Sequence, residues 1–545
     1  MCFAVIRRLA LGSLLLLTGV AGRAEEAVPS PSLVPWPKAI RLEPGYETLA
    51  PGARIVAQNA ELAPLAGVLA EEIGLITAHP LTVGNGAAGK GDITLRLAAN
   101  VPAAEGYRLT VGSDGILVEG RTYGGVAWGT VTLLQALEST NGQWRLPRMT
   151  VADEPQLGYR GVLIDVARRY NSIGALKRVV VMCRLYKIRY LQLHLTDDQA
   201  WTFPSTAFPK LGSTNKGFRG PIPRVYTLEE LKDLVAFADA RSVTIIPELE
   251  TVGHSDQLRI PYPKVFDAFE DKKENAHMGI VDMANPHAYQ GLDVLVGEMC
   301  EVFKSSPYFH IGADEANMKR ALVSSNYPAF TAEHNLSSPY ELFCYFVREM
   351  DTTVRKHGKR TIIWGDGVKP PGSEQVTIPS NILVMAWRNK ANDARNFVSN
   401  GFEVVNATWN PLYVVNQTWE TFSQPGGTNG QTGKYTPETI YNWNPQVFDR
   451  LVLKATPLVV GGQLCAWEQG GEIQTPVLRS RVPALSERTW NPALDQPYGN
   501  FSSRLQATDA LLERLVSVIP ASGPGQRDEP ATGSTSGKTT PGLQK

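Results

Sequence analysis

The sequence predicts an α/β fold, in which a (β/α)8 TIM barrel follows a small α+β domain. The chain has 545 residues, which is long enough for more than one domain. Its pattern changes near residue 155, from short strand-like pieces to apolar runs that alternate with helical stretches. Eight such runs separated by helices are typical of a closed parallel barrel.

The small first domain is predicted over residues 25–155. Strand-like pieces occur at residues 93–97, 107–111 and 115–119. A helix is predicted at residues 124–137, because apolar residues recur there at helical spacing. Strands and a helix in this mixture are typical of an α+β layer.

The barrel is predicted over residues 156–516. The helix between its second and third strands is indicated by a capping box, in which Thr227 begins the helix and Glu230 lies three positions later. Apolar residues then recur at helical spacing from Leu231 to Ala238. The eight predicted strands are residues 161–166, 190–195, 243–248, 308–314, 361–365, 382–387, 402–406 and 459–467.

The two ends of the chain differ from both domains. Residues 1–24 combine Arg7 and Arg8 with a short apolar run and small residues ending at Ala24, which is typical of a cleavable signal peptide. An uncleaved anchor is the alternative, although the run is shorter than the ~20 residues that span a bilayer. Residues 517–545 are rich in Gly, Ser, Thr and Pro and predict a disordered tail.

Export follows as an expectation from the predicted signal. The compartment would be the periplasm or the medium for a bacterium, and the lysosome for a eukaryote. No membrane span is expected after the signal is cleaved, because no later segment resembles a spanning helix.

The charge balance and the cysteine spacing exclude some classes of function and structure. Lys plus Arg and Asp plus Glu both number 53, so the basic excess typical of nucleic-acid binding is missing. The four cysteines after the signal are too widely spaced for a zinc site or a dense disulfide scaffold, which leaves one disulfide or buried free thiols. A compact, neutral ligand is favoured. The oligomeric state is left open, and a homodimer is one possibility.

The fourth predicted strand ends in two adjacent carboxylates, Asp314 and Glu315. Strand side chains alternate faces, so both can serve one pocket only if the strand ends here and the chain turns. Taken alone, the pair is also compatible with a helix start after a strand. Other strand ends carry polar or aromatic residues too, and in this architecture they meet at one rim. They include Asp165, Arg168, His194, Asp197, Glu248, Glu250, His254, Trp364, Asp366, Trp387, Arg388, Tyr413 and Trp467.

Acids, an arginine and tryptophans at one rim suit a sugar. Sugar rings stack their C–H faces on aromatic rings, and their hydroxyls bind charged, bidentate partners. Glycosidic cleavage needs an acid that protonates the departing oxygen and a nucleophile at the anomeric carbon. Neighbouring carboxylates are expected to divide into one protonated and one ionised member.

Five strings closely resemble the β-N-acetylhexosaminidases of glycoside hydrolase family 20, in order and at comparable separations. The resemblance extends over roughly residues 30–500, and the ordered set is far more specific than any single string. It implies that the barrel is a catalytic domain. The strings are YRGVLIDVARRY, LQLHLTDDQAW, PELETVGH, HIGADE and GGQLCAWEQ.

The resemblance implies an exo-acting retaining hydrolase that removes terminal non-reducing β-linked N-acetylglucosamine or N-acetylgalactosamine, in chitin or glycoconjugate degradation. The 2-acetamido oxygen of the substrate is the nucleophile, and the intermediate is an oxazolinium ion. Glu315 matches the general acid and base, and Asp314 matches the carboxylate that orients the acetamido N–H. Asp197 and His254 match a pair that is linked to the acid by hydrogen bonds.

The substrate-binding residues also follow from the resemblance. Arg168 matches the arginine that holds the 3- and 4-hydroxyls, and its neighbour Arg169 stands where relatives often have His. Tyr413 matches the phenol that donates to the acetamido oxygen. Three tryptophans match the aromatic walls of the acetamido pocket and the sugar platform, namely Trp364, Trp387 and Trp467.

Two positions depart from the family pattern. Relatives often have an acid or amide two residues after the tyrosine, where this chain has Val415 followed by Asn416, so the partner of the 4- or 6-hydroxyl is open. Relatives commonly have Glu two residues after the last tryptophan. Here either Gln469 replaces that carboxylate or Glu468 supplies it from a shifted backbone.

Three other functions use the same types of residue. A catalytic metal is not expected, because His194, His254, His277 and His310 show none of the usual ligand spacings, and no cofactor is expected. A catalytically silent glycan-binding barrel is the alternative from another class. An ordinary retaining glucosidase with a nucleophile of its own is the third. In each, the partner is an oligosaccharide or glycoconjugate.

Overall fold

The structure is a computed structural model that describes residues 30–218, 220–268, 279–369, 372, 374–388, 393–415 and 436–520. The predicted signal peptide, His277, Asn416 and the predicted tail beyond residue 520 lie outside these residues. The limits predicted for the domains stay predictions.

The N-terminal part folds as one sheet with two helices against it. The elements are β1 (Ala39–Thr48), β2 (Arg54–Ala57), α1 (Ala63–Thr77), β3 (Thr82–Gly84), β4 (Ile93–Leu97), β5 (Tyr107–Gly112), β6 (Gly115–Gly120), α2 (Tyr123–Gln135), β7 (Glu138–Thr140) and β8 (Gln143–Asp153). The sheet order is β1-β8-β5-β6-β4-β2-β3, and β7 pairs with β8. The three predicted strands and the predicted helix are confirmed as β4, β5, β6 and α2.

The second part is a closed parallel barrel of eight strands, which confirms the predicted fold class and all eight predicted runs. Parallel pairing of the last strand with both the first and the seventh closes the barrel. Its strands are β9 (Tyr159–Asp165), β10 (Tyr190–His194), β11 (Thr244–Thr251), β12 (Tyr308–Gly312), β13 (Arg360–Trp364), β14 (Leu383–Ala386), β15 (Val404–Asn406) and β19 (Val459–Trp467). Outside the barrel lie β16 (Tyr413–Val415), which pairs with β19, and the hairpin of β17 (Val447–Phe448) and β18 (Leu451–Val452).

Helices connect the barrel strands, as the alternating pattern predicts. The capping box of α4 is present, because Thr227 Oγ1 accepts from the Glu230 N–H and the Glu230 carboxylate accepts from the Thr227 N–H. The helices are α3 (Ile173–Leu185), α4 (Leu228–Asp239), α5 (Asp256–Arg259), α6 (Pro263–Phe266), α7 (Pro286–Val302), α8 (Tyr327–Glu333), α9 (Pro339–Lys356), α10 (Asp393–Ser399), α11 (Trp409–Leu412), α12 (Pro437–Tyr441), α13 (Gly471–Trp490) and α14 (Tyr498–Val516).

Side chains fill the barrel interior, so the barrel is a packed core with a closed floor. Tyr159 stacks on Tyr190 with ring centroids 4.7 Å apart, and Leu163, Ile246 and Met385 are buried in the same cluster.

All four described cysteines are buried free thiols. None of the helices in the described part of the chain is long and apolar enough to cross a membrane.

Buried ion pairs join the sheet domain to the barrel, and we call this region the domain interface. Glu105 pairs with Arg160, which has no exposed surface, and with Arg189 at 2.7 Å. Glu72 of α1 accepts two hydrogen bonds from Arg184 of α3, at 2.6 and 2.7 Å. Each charge here faces an opposite charge across the two domains, so the interface holds the barrel in a fixed position against the sheet.

Candidate active site

The chain turns sharply where β12 ends, two residues before Asp314. The backbone φ angles of Gly312, Ala313 and Glu315 are 63°, 71° and 49°. A Cβ atom at Gly312 would lie only 2.0 Å from Glu250 Oε2, so only glycine fits there. The strand therefore ends before the two acids, which is the condition under which both can serve one pocket.

His254 lies between the two carboxylates. Its Nε2 atom is 3.7 Å from Asp314 Oδ2 and 3.5 Å from Glu315 Oε2. Its Nδ1 atom is 3.4 Å from Asp197 Oδ1. The other oxygen of Asp197 is 2.6 Å from Arg168 Nη2. The structure thus brings the four predicted catalytic residues and the predicted sugar-binding arginine into one continuous chain of contacts.

Arg168 is held rigidly at the end of β9. Asp165 accepts hydrogen bonds from the Arg168 backbone N–H at 2.9 Å and from its Nη1 atom at 3.3 Å. The guanidinium carbon lies 5.5 Å from the centre of the Trp467 ring. A fixed, planar fork of donors suits the bidentate binding of two neighbouring hydroxyls.

The predicted aromatic residues form a continuous wall. Tyr413 lies nearly parallel to Trp387, with ring centroids 6.1 Å apart, and 5.9 Å from Trp467. Trp364 is 5.9 Å from Trp467 and is almost fully buried. Its Nε1 atom donates to Glu248 Oε1 at 2.7 Å, which fixes the ring. The three tryptophans and the tyrosine thus enclose one side of the pocket.

Glu468 and Gln469 have different environments. Gln469 has no exposed surface, and its Nε2 atom donates to the Val414 carbonyl at 3.1 Å. Glu468 has a φ of 61°, and its N–H donates to Asp165 Oδ2 at 3.1 Å. Its carboxylate acts on the charge of Arg168, because it helps to raise the arginine's pKa. The two residues thus lie in different environments, and which of them takes the place of the family's glutamate stays a prediction.

The two adjacent acids are in different electrostatic environments. Burial, opposed by His254 and assisted by Asp366 and Glu248, raises the pKa of Asp314 to about 6. His254, against the effect of burial and with help from Arg388, lowers the pKa of Glu315. The pKa values of the two carboxyl groups are therefore shifted in opposite directions, and Asp314 is the more readily protonated of the two.

The buried charged residues around Asp314 and Glu315 include His194 and Asp197. Burial opposes the charge on His194, but Glu248 and Asp197 outweigh it and raise the His194 pKa to about 10. His194 lies 2.8 Å from Glu248 Oε2 and 2.9 Å from Asp197 Oδ2. Burial also disfavours the charge on Asp197, yet Arg168 and His254 hold the pKa of Asp197 well below its usual range. Asp197 is thus a permanent anion that orients two imidazoles.

Within the described part of the chain, two groups of residues have ligand atoms close enough for a metal, namely His194 with Glu248 and Glu250, and His254 with Asp197 and Asp198. Each imidazole faces a carboxylate on both of its nitrogen atoms. The expectation of no catalytic metal stays a prediction.

Asp366, Arg388 and Glu250 were visible in the sequence as polar strand ends, but no pattern gave them a role. Asp366 Oδ2 accepts from the Glu315 N–H at 2.7 Å and from Arg388 Nη2 at 3.0 Å. Glu250 Oε2 accepts from the Ala313 N–H at 3.3 Å. All three act on the turn that carries the acids, and only tertiary contacts reveal this.

A barrel whose mouth combines two adjacent carboxylates, an arginine fork and an aromatic wall has the type of site found in glycoside hydrolases. The family model of glycosyl hydrolase family 20, catalytic domain, matches residues 157–493. The family model of glycosyl hydrolase family 20, domain 2, matches residues 30–154. The chain belongs to glycosyl hydrolase family 20.

Individual relatives are more distant. A beta-hexosaminidase of Porphyromonas gingivalis is 28% identical over 466 residues, which cover 82% of this chain and 58% of that protein. A beta-hexosaminidase of Vibrio furnissii is 26% identical over 396 residues, covering 69% of this chain and 62% of that protein. The chain thus spans about three fifths of the length of these two relatives.

Solved structures show the same fold. An exo beta-N-acetylglucosaminidase of Vibrio harveyi in complex with N-acetylglucosamine superposes with a TM-score of 0.75 at 22% identity, covering 92% of this chain and 80% of that chain. A beta-N-acetylhexosaminidase of Streptomyces coelicolor gives a TM-score of 0.73 at 21% identity, covering 92% of this chain and 99% of that chain. At this level of identity the likeness supports the fold alone.

Proposed function

We propose that this chain is an exo-acting retaining β-N-acetylhexosaminidase, which removes terminal non-reducing β-linked N-acetylglucosamine or N-acetylgalactosamine from glycans. The proposal depends above all on one observation. Asp314 and Glu315 lie on either side of a single imidazole, 3.7 and 3.5 Å from its Nε2 atom, at the mouth of a barrel lined by tryptophans. Membership of family 20 and the two beta-hexosaminidase relatives support it.

In the first step, the acetamido oxygen of the bound sugar attacks the anomeric carbon while the bond to the leaving oxygen breaks. Glu315 gives its proton to that oxygen. The positive charge passes into an oxazolinium ring, and Asp314 accepts a hydrogen bond from the ring N–H. Because the nucleophile is already part of the substrate, holding it in line removes much of the entropic barrier.

In the second step, water replaces the departed group. The Glu315 carboxylate takes a proton from the water as its oxygen attacks the anomeric carbon, and the ring opens to restore the acetamide. Two inversions at the same carbon give overall retention. No carboxylate of the protein becomes glycosylated.

Substrate binding changes the protonation of the pair in the required direction. The Glu315 side chain is 48% exposed, so a sugar that covers it removes water and raises its pKa. An acetamido N–H that donates to Asp314 stabilises the ionised carboxylate. We expect the proton to move from Asp314 to Glu315 as the site fills.

Asp314 also has an unused acceptor. Its Oδ1 atom is buried and has no hydrogen-bond partner among the described residues. A buried acceptor without a partner is costly, and a ligand N–H would relieve that cost. The acetamido group fits this position, because Tyr413 and the tryptophans enclose the space beside it.

Export and the natural glycan are further parts of the proposal. The predicted signal supports a periplasmic, secreted or lysosomal location, which fits an enzyme that degrades chitin or glycoconjugates. The exo mode is supported by the packed barrel floor, because a closed pocket accepts a chain end.

The test is release of nitrophenol from 4-nitrophenyl β-N-acetylglucosaminide and its galacto epimer, followed by a screen of chitobiose, N-glycan termini, gangliosides and peptidoglycan fragments. We expect turnover of the chromogenic substrates. Binding of N-acetylglucosamine without turnover would instead support the silent glycan-binding barrel. A covalent fluorosugar adduct on a carboxylate would identify an ordinary retaining glucosidase.

A further inference from the structure

Asp366 is the centre of a hydrogen-bond network beside the acid. It follows β13 and is almost fully buried. Its Oδ2 atom accepts from the Glu315 backbone N–H at 2.7 Å and from Arg388 Nη2 at 3.0 Å, and its Oδ1 atom accepts from Trp387 Nε1 at 3.1 Å. One carboxylate thus connects the turn that carries the acid with two residues at the end of β14.

Arg388 completes the network on the open side. Its guanidinium carbon lies 4.4 Å from the centre of the Trp387 ring, and its Nη1 atom lies 3.6 Å from Glu315 Oε1. His254 faces the other oxygen, Oε2, at 3.5 Å. Each oxygen of the Glu315 carboxylate therefore has one cationic neighbour.

The two cationic neighbours differ in their ability to lose charge. An imidazole can give up its proton, whereas a guanidinium keeps its charge at every working pH. Asp366 fixes the guanidinium through Nη2, and the same oxygen of Asp366 fixes the Glu315 backbone at a φ of 49°. A residue other than glycine holds such a backbone only when its surroundings impose it.

We propose that Asp366 and Arg388 form a positioning pair, which fixes the Glu315 carboxylate and stabilises its negative charge during the second step of the reaction. The inference builds on the proposed function. Arg388 contacts Glu315 and acts through it, so it is a positioning residue. Its charge favours the base form of Glu315, which activates water, and disfavours the acid form, which protonates the leaving group.

Because the Arg388 charge favours the second step and disfavours the first, its removal should affect two substrates differently when different steps limit them. With a dinitrophenyl leaving group, protonation matters little and the second step limits turnover. With a poor leaving group such as the second sugar of chitobiose, the first step limits. On the acid side of the pH profile, where a raised Glu315 pKa depletes the base form, Arg388→Met should therefore lower kcat on the dinitrophenyl substrate about three- to tenfold. It should leave kcat/KM on chitobiose within about twofold, because only the second step needs the anionic form.

The experiment compares Arg388→Met, Arg388→Lys and the control Arg479→Met on both substrates. Arg479 pairs with Asp509 at 2.6 Å between α13 and α14, so the control removes a paired arginine charge outside the network of Asp366 and Glu315. The lysine variant keeps the charge and should recover at least half of the lost kcat. An equal fall on both substrates in Arg388→Met would mean general damage and would overturn the proposal.

A second readout needs no turnover. The carboxyl carbon of Glu315, labelled with carbon-13 and assigned by its loss in Glu315→Gln, gives the pKa of this group directly. Arg388→Met should raise that pKa by about 0.5 to 1 unit, and Arg388→Lys by less than half as much, given a partly screened charge near 4 Å. An unchanged titration would refute the pair, whereas an inactive wild-type enzyme would refute only the proposed function.

Discussion

The domain interface and the barrel mouth both bury several charges, but they use them differently. At the interface, Glu105 faces Arg160 and Arg189 and also accepts from Trp128 Nε1 at 2.9 Å. At the mouth, Asp314 Oδ1 and Glu250 Oε1 are buried with no hydrogen-bond partner in the described ranges. The interface carboxylate is thus paired within the protein, whereas the mouth keeps two buried acceptors that the described residues leave unpaired.

The pKa shifts reflect the same difference. Burial disfavours the charge of Glu105, but the two arginines lower its pKa below the ordinary value. Burial and neighbouring carboxylates raise the pKa of Asp314 to about 6. A lowered carboxyl pKa means that the folded state favours the charge, and a raised one means the opposite. The charge of Glu105 therefore stabilises the fold, whereas the charge of Asp314 destabilises it. In the proposed reaction, the Asp314 charge acts on the substrate.

The largest effect is expected at the mouth, from Glu315→Gln. Without a proton donor, kcat/KM on chitobiose should fall about 10³-fold. On a dinitrophenyl substrate, kcat/KM should fall much less, because it reports the first step and this leaving group needs no proton. Steady-state kinetics on both substrates measure the difference. Glu301→Gln is the control, since Glu301 is an exposed acid that pairs with Lys304. Normal hydrolysis of chitobiose by Glu315→Gln would exclude the acid role.

At the interface, Glu105→Gln should reduce stability and leave the chemistry intact. It leaves the fully buried Arg160 without its counter-charge, which costs about 3 kcal/mol. Because the folded pKa of Glu105 is depressed, its contribution is present above the ordinary carboxyl pKa and is lost as pH falls through the folded value. Denaturant unfolding at pH 7 and pH 4 should show the deficit shrinking at the lower pH. An equal deficit at both would contradict the electrostatic explanation.

Asp314→Asn should lower the activity and raise the stability at pH 7. The chemical step should slow about 10²-fold, because an amide balances the oxazolinium charge poorly. Asp314 has a folded pKa of about 6 against an ordinary 3.8, so its stabilising contribution is present below the ordinary value and lost as pH rises through 6. The variant should therefore be more stable than wild type at pH 7, which denaturant unfolding measures. Lower stability at pH 7 would argue that Asp314 belongs with the interface charges.

The smallest effect is expected from Tyr413→Phe. Removing one hydroxyl that donates to the acetamido oxygen should lower kcat/KM about tenfold, the equivalent of one hydrogen bond. The ring remains, so its packing against Trp387 and Trp467 should be kept. Kinetics on the chromogenic substrate, with Tyr441→Phe as a distant control, measure the loss. Unchanged activity would remove Tyr413 from the acetamido pocket.

The fold could be predicted because its signals are local. Each barrel strand is a short apolar run, and eight runs at regular separation define the barrel. The ends of strands are less visible. The fourth run was predicted to reach Asp314, but β12 ends at Gly312, because the turn depends on Glu250 filling the space above that glycine.

The site was predicted in its residue types but only partly in its organisation. The family strings identify Asp314, Glu315 and Arg168 by position. They do not show that Asp366 holds the acid's backbone, because residues 51 positions apart meet only in the folded chain. The different environments of Glu468 and Gln469 likewise depend on burial, which no local pattern contains.

In the proposed reaction the substrate supplies the nucleophile, and a series of fluorinated substrates tests this. Nitrophenyl N-acetylglucosaminides with zero, one, two or three fluorines on the acetyl group differ chiefly in the electron density of the acetamido oxygen. If that oxygen attacks the anomeric carbon, kcat/KM should fall with every added fluorine. A flat series, with turnover independent of fluorine content, would mean that a group of the protein attacks instead.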